Sequence, residues 1–414
     1  MARKPAHIAL GVVAVVVMTV AGACSSGRPV PQNSVAASVQ TPPVPAPGTS
    51  SVEHWGVFFG DVNGFWDRQE TPVAVTLPGA VVQIGTSNSD EYALLADGSV
   101  YGWGMNTQGQ LGNGTDVNSF EGPVRVHFPA GVKIAFLATD AMPYDSALAV
   151  DTTGHAWAWG DNSGGEFCLG NQKDYFTPVE LPFSDVTLLA GADAHALYEA
   201  SGTAYSCGDN VNGDLGDGKM AASFTPVKIV GLGKSRVTAL VSAFDNSGAL
   251  LANGDYYDWG YNADGQLGDG QAGKPSDIPV RVQLPGPVTQ VAQGGSIWHN
   301  GQTLALVQGG TLYGWGADWS YQLAQGKRGR QPVPVPIILP QGVRFTMLAT
   351  GSGTCYGVTP SGNVYAWGAN YAAQVGDNSL TLKQEPEEVA VGAVQISSTA
   401  NNVLIRLRAA NAST

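Results

Sequence analysis

Twenty Lys and Arg face 33 Asp and Glu along 414 residues, a formal net charge of −13. That balance opposes the phosphate backbone of nucleic acid and anionic lipid headgroups, so neither is an expected partner, and the acidity serves solubility. The 55 Gly fall mainly in turns that recur along the chain, and they build no phosphate loop.

The chain opens with a positive stretch, Arg3 and Lys4, followed by an apolar run from Ile8 to Val20 and the small residues Ala21, Gly22 and Ala23 ahead of Cys24. This order predicts a secretory signal peptide over residues 1–23, with an apolar core too short for a comfortable membrane span. A Cys directly after small residues resembles the bacterial lipoprotein cleavage box, in which the mature N-terminal Cys carries lipid. The match departs at Ala21, where a larger aliphatic residue is usual, and at Gly22, where Ala or Ser is usual. The resemblance implies lipidation of Cys24 and a place on the extracytoplasmic face of a bacterial cell membrane. An ordinary signal peptide with secretion, or an uncleaved anchor, is the alternative. Each buried CH₂ of an acyl chain contributes about 0.8 kcal/mol, so several chains on one Cys would hold the protein stably. Residues 24–51, rich in Pro, Ser and Ala, cannot bury a core and read as a disordered tether.

From Val52 onward the chain repeats itself at a spacing of about fifty residues, the mark of a solenoid, propeller or array. Six copies run from an apolar stretch through a turn to Trp-Gly or a near relative: Leu94–Gly104, Leu148–Gly160, Leu197–Gly208, Leu250–Gly260, Leu304–Gly316 and Tyr356–Gly368. Aromatics alternate within them, as at Tyr101 and Trp103 or Tyr365 and Trp367, which places both rings on one face of a strand. Asp97-Gly98, Asn253-Gly254 and Gly309-Gly310 stand just upstream and suit the positive φ of type I′ hairpin turns. After each Trp-Gly comes Asn or Asp and then Gly-Gln-Leu-Gly or a variant, as in Asn106–Gly114 and Asn262–Gly270. A Pro is expected to open the strand that follows, at Pro72, Pro123, Pro178, Pro226, Pro279, Pro334 and Pro386.

Short strands with regular turns and no helical periodicity predict an all-β, seven-bladed β-propeller over residues 52–408, with a disordered tail at 409–414. Val52–Gly56 is the tail of a repeat lacking its beginning, and Val389–Leu407 is a beginning lacking its tail. Joined in one blade they would close the ring by pairing N-terminal and C-terminal strands.

The full pattern, with Asp-Gly, Val-Tyr-x-Trp-Gly, Asn, Gly-Gln-Leu-Gly and Pro-Val in that order, resembles the regulator of chromosome condensation repeat. That family forms seven-bladed propellers, and the resemblance covers most of the chain. Departures stand at Asp90, Ala194 and Gln302, where the family often has His, at Cys207 in place of Trp, and at Tyr321–Ala324 in place of the glycine loop. The best-known relatives act on a nuclear GTPase, a role that an exported chain does not inherit. Exported bacterial propellers that inhibit β-lactamases look similar in architecture. The repeated Trp is expected to wedge between blades, with blade three softer for its Cys207.

Three cysteines follow the leader: Cys168, Cys207 and Cys355. An odd number allows one bridge and one free thiol, or none. Cys168 and Cys207 read as small packed residues, with a bridge between them as the alternative. The histidines fall in different repeats, none at metal-ligand spacing, and no nucleophile elbow or HExxH occurs, so no catalytic residue, metal or cofactor is expected. Asp209–Asp214 reads as a turn and not as a calcium loop.

Residues that the scaffold does not require are the candidates for binding. The first loop carries Phe58, Phe59, Phe65 and Trp66, and the fifth carries Trp319, Tyr321, Lys327, Arg328 and Arg330. Trp298 and His299 form a short insertion in the same unit. Aromatics and Arg are enriched at protein interfaces. The expectation is a monomeric, non-enzymatic lipoprotein that binds a protein or cell-wall ligand. A polysaccharide- or peptidoglycan-acting hydrolase and a purely structural envelope protein are the alternatives.

Overall fold

The computed structural model describes residues 51–57, 68–138, 145–244, 246–295 and 301–408. These residues hold 28 strands and no helix, grouped as seven four-stranded antiparallel sheets. In the first complete sheet the strands, lettered A to D from the axis outward, are Val81–Thr86, Asp90–Leu95, Val100–Gly104 and Ser119–Arg125. Strand A of each blade packs beside the inner strands of the next around the ring, and the seventh blade lies beside the first. The architecture is the expected seven-bladed propeller.

Blade 7 joins the two ends of the propeller. Ala393–Thr399 and Asn402–Leu407 supply its inner strands, and Val52–Val57 and Arg68–Val75 supply its outer ones. Val52 pairs with Arg406 and Gly56 with Asn402. Side chains then seal blade 7 to blade 1. The Gln395 amide accepts from Ile84 N at 3.1 Å and donates to Ile84 O at 3.1 Å, and Thr399 Oγ1 donates to Thr86 O at 3.0 Å. Gln83 repeats the amide device between blades 1 and 2, accepting from Leu137 N at 2.8 Å. Each such Gln satisfies backbone groups that an exposed strand edge would leave open.

The apolar runs became strand B, which is buried along its whole length because a neighbouring blade covers each face. Strand D is the outer edge, and its residues are half-buried or exposed. Contrary to expectation, the prolines do not open that strand; they sit inside it. Pairing skips from Ser119 to Val124 across Pro123, and from Ser276 to Val280 across Pro279. A bulge on an edge strand is where a residue without N–H costs no ladder bond.

The hairpin turns also differ from expectation. Ser201-Gly202 has positive φ at both central residues, 51° and 81°, as a type I′ turn requires. Gly309-Gly310 is also positive at both, 101° and 89°, whereas at Asp97-Gly98, Thr153-Gly154, Asn253-Gly254 and Ser361-Gly362 only the Gly is left-handed, Gly98 with φ of 86°. Gly98 N donates to Leu95 O at 2.9 Å, and Asp97 Oδ1 accepts from Ser99 N at 2.9 Å. A side-chain acceptor closes the turn, so a single left-handed residue is enough.

The blade seams explain the repeated Trp. Trp55, Trp259, Trp315 and Trp367 are fully buried, and each donates Nε1 across a seam to a carbonyl of the preceding blade, Trp367 to Gln322 O at 2.7 Å. In the slot beneath the ring lies a left-handed residue, Gly for Trp55, Trp259 and Trp315 and Ala324, with φ of 50°, for Trp367. A Cβ on Gly216 would stand 2.7 Å from Trp259, and one on Gly268 2.9 Å from Trp315.

At the seam between blades 2 and 3 both members of this pair change together. Cys168 occupies the left-handed slot, with φ of 60°, and Cys207 occupies the Trp slot. The two form a disulfide with Cα atoms 5.5 Å apart. The reading of two separately packed thiols is therefore corrected: a covalent staple stands where seams such as those of Trp259 and Trp315 have a ring on a glycine. Cys207 is fully buried, so the missing Trp does not leave an open joint. Cys355 is a free buried thiol whose burial pushes its pKa up, away from reactivity.

Candidate protein-binding face

Antiparallel order fixes where the loops go. Connections A–B and C–D of every blade emerge at one end of the ring, and B–C and D–A emerge at the other. The C–D connections carry the Asn and Gly-Gln-Leu-Gly elements, so this end is the long-loop face. In each loop the Asn folds the backbone back on itself. Asn106 Oδ1 accepts from Leu111 N at 2.8 Å while Nδ2 donates to Thr115 O at 2.9 Å and Val117 O at 3.1 Å. The loop Gln adds a second clasp, Gln110 Oε1 accepting from Gln108 N at 2.8 Å. These repeated polar residues are scaffold.

Three loops break the rule with a carboxylate; in blade 3 Asp214 takes the Gln slot and accepts from Asn212 N at 3.3 Å. Glu166 stands in the Gln slot of blade 2, fully buried, with neither carboxylate oxygen partnered. Burial, then Asp161, Asp193 and Asp174, hold its pKa well above the usual range. A raised pKa makes its contribution complete below 4.5 and lost as pH climbs through the folded-state value. Glu166→Gln should raise stability at neutral pH by on the order of 1 kcal/mol, by removing an unsatisfied acid and supplying an amide. Equal melting temperatures for the two proteins would contradict this.

Asp318 takes the Asn slot of blade 5. Oδ1 still accepts from Leu323 N at 2.9 Å, but Oδ2 is unpartnered and no amide donor exists. Burial pushes its pKa up to about 6, opposed by Leu323 N and by Lys327. Its stabilising contribution is therefore complete below 3.8 and lost as pH rises through about 6. Asp318→Asn should flatten the melting temperature over that window; an unchanged slope would show that this group does not titrate there.

Blade 5 gathers the predicted residues of its loop on the long-loop face. Trp319 is 45% exposed, and the Arg330 guanidinium lies 5.9 Å from its ring centre. Arg328 lies 5.1 Å over the Tyr321 ring. Arg330 is also tied to blade 4, donating to Ala263 O at 3.0 Å and standing 3.6 Å from Asp264. Lys327 and Arg328 are exposed. Phe58, Phe59, Phe65 and Trp66, like Cys24, Trp298 and His299, lie outside the described residues. The segment that holds the first four connects Val57 to Arg68, which pair at the long-loop end of blade 7.

Sequence reading missed Tyr371, 53% exposed, and Val211, 67% exposed. Both occupy the slot directly after the loop Asn, which Trp319 fills in blade 5. That shared slot was the available signal. With them, Val117, Met220 and Leu380 bring exposed large apolar side chains to this face, against Val230, Ile338 and Val391 in loops of the other. Near the axis the face dips into a small cavity lined by Ser242, Phe244, Gln293, Thr350 and Thr399 among others. No group of three His, Cys, Asp or Glu able to hold a metal occurs among the described residues.

The family model for the regulator of chromosome condensation (RCC1) repeat matches residues 97–137, 201–250, 253–297 and 309–358. The chain carries RCC1 repeats. It is similar to the mitochondrial RCC1 domain-containing protein RUG3 of Arabidopsis thaliana, 28% identical over 70% of each chain. It is also similar to the ultraviolet-B receptor UVR8 of the same plant, 29% identical over 67% of this chain and 62% of that one. Among solved structures, Prp20p of Saccharomyces cerevisiae superimposes with a TM-score of 0.73 at 22% identity, covering 87% of this chain and 92% of Prp20p. That likeness confirms the fold of this RCC1-repeat propeller.

Proposed function

We propose that the protein is a non-enzymatic binding scaffold that engages a protein partner through its long-loop face. The observation that carries this reading is the exposed Trp319 and Tyr371 in adjacent blades, in a slot the scaffold does not need, beside Arg328 stacked on Tyr321. Ordered aromatics backed by Arg are the composition of interface hot spots. A relative supports the same reading: Prp20p is described by its binding to Gsp1p and histones.

The propeller is proposed to work outside the cytoplasm, exported by residues 1–23 and held at the bacterial membrane by lipid on Cys24. The Cys168–Cys207 disulfide supports an oxidising compartment, because cytosolic thiols are kept reduced. Crosslinked partners recovered from intact cells should fall sharply for Trp319→Ala/Tyr371→Ala relative to wild type. Equal recovery would remove the face from the proposal. Radiolabelled palmitate should enter wild type and not Cys24→Ala; no labelling of either would leave a secreted form.

A further inference from the structure

Tyr321 is an aromatic residue in a slot built for glycine. Its φ is 67°, and the equivalent residues of blades 1 to 4 are Gly109, Gly165, Gly213 and Gly265, all with positive φ. A bulky side chain in the left-handed region carries a backbone cost, and such outliers cluster at binding sites. What the side chain does here is carry Arg328, 5.1 Å over its ring. Arg330, by contrast, is spent on Asp264 and Ala263 O. Neither Arg328 nor Lys327 has a carboxylate within ion-pair distance among the described residues. Two exposed cations thus stand outside any ion pair in a protein of net charge −13, Lys327 acting only at longer range on Asp318, on the same face as the exposed Trp319 and Tyr371.

Resting on the proposed binding face, we infer that the rim of blades 5 and 6 receives a short acidic, apolar-containing segment of the partner protein. Arg328 and Lys327 meet its carboxylates, and Trp319 and Tyr371 cover its apolar side chains. Charge complementarity selects this occupant. A long polyanion would need many phosphate-neutralising cations, and beyond two it would meet the acidic loops of Asp209, Asp217 and Asp269. A basic segment would be repelled by Arg328 at the centre of the patch. Rim charges of this kind set partner choice and association rate.

Peptide display on the intact propeller tests the inference. Wild type should enrich sequences that mix Asp or Glu with aliphatic or aromatic residues, and binding of a synthetic winner should weaken roughly tenfold in Arg328→Glu/Lys327→Glu. Circular dichroism should be unchanged in that exposed variant. Enrichment of basic or uncharged sequences, no enrichment at all, or equally tight binding of inorganic polyphosphate would overturn the acidic-segment inference. Winners that are not acidic but are lost in Trp319→Ala/Tyr371→Ala would overturn the chemistry and leave the face standing. Winners indifferent to every substitution on the face would overturn both.

Discussion

Reduction is expected to lower the melting temperature of the wild-type propeller by several degrees and to leave a Cys168→Gly/Cys207→Trp variant unaffected. The bridge closes a loop with a sequence separation of 39 residues, and chain entropy assigns such a crosslink about 4 kcal/mol. A buried Trp on a seam contributes about 3–5 kcal/mol relative to Ala. The two devices are of equal size, so one can stand in for the other. Cys207→Ala alone loses the bridge without gaining the ring, and it should melt lowest of the three. The double exchange restores the Gly and Trp pair used at the seam of Gly216 and Trp259. Glu166 O already accepts from the Tyr198 hydroxyl at 2.8 Å and would take the new indole as a second donor, as Asp214 O accepts from both Ser247 Oγ and Trp259 Nε1 at 2.8 Å. Wild type that ignores reductant, or a double variant no more stable than Cys207→Ala, would refute the equivalence.

Trp367→Ala should destabilise the ring by about 3–5 kcal/mol. The side chain is fully buried between blades 5 and 6 and packs against Phe345, with ring centres 6.1 Å apart. Truncation also leaves Gln322 O without the indole donor it holds at 2.7 Å. Trp103→Ala should act in the same direction, since its Nε1 bonds the buried Glu91 at 2.8 Å. Thermal unfolding of both variants checks this; an unchanged midpoint would mean that the rings are not what joins the blades. A propeller closed by its own ends spreads such damage, because weakening one seam loosens the closure as well.

The fold was legible because its signals are local. Period-two aromatics and the Trp-Gly ends declare a hairpin in each unit, and the split repeat at Val52 and Leu407 declares closure. The prolines were harder to place. Their recurrence at Pro123, Pro279 and the equivalent positions is plain in the sequence, but nothing there says that strand pairing skips across them. The disulfide needed the relation between consecutive repeats: the Gly slot of one faces the Trp slot of the next. Cys168 and Cys207 fill those two slots in adjacent units, so the signal existed in register and not in spacing. The site divides the same way. Trp319 and Arg328 broke the repeat and were visible, whereas Tyr371 is one aromatic among many until the loop fold leaves it exposed.

A photoreactive amino acid placed in living cells tests most directly whether partners dock on the long-loop face. Position 319 on that face and position 338 on the opposite one, where Ile338 is 78% exposed, make a matched pair. Partner adducts are expected from position 319 and none from position 338. Adducts from position 338 alone, or equally from both, would contradict docking on the long-loop face.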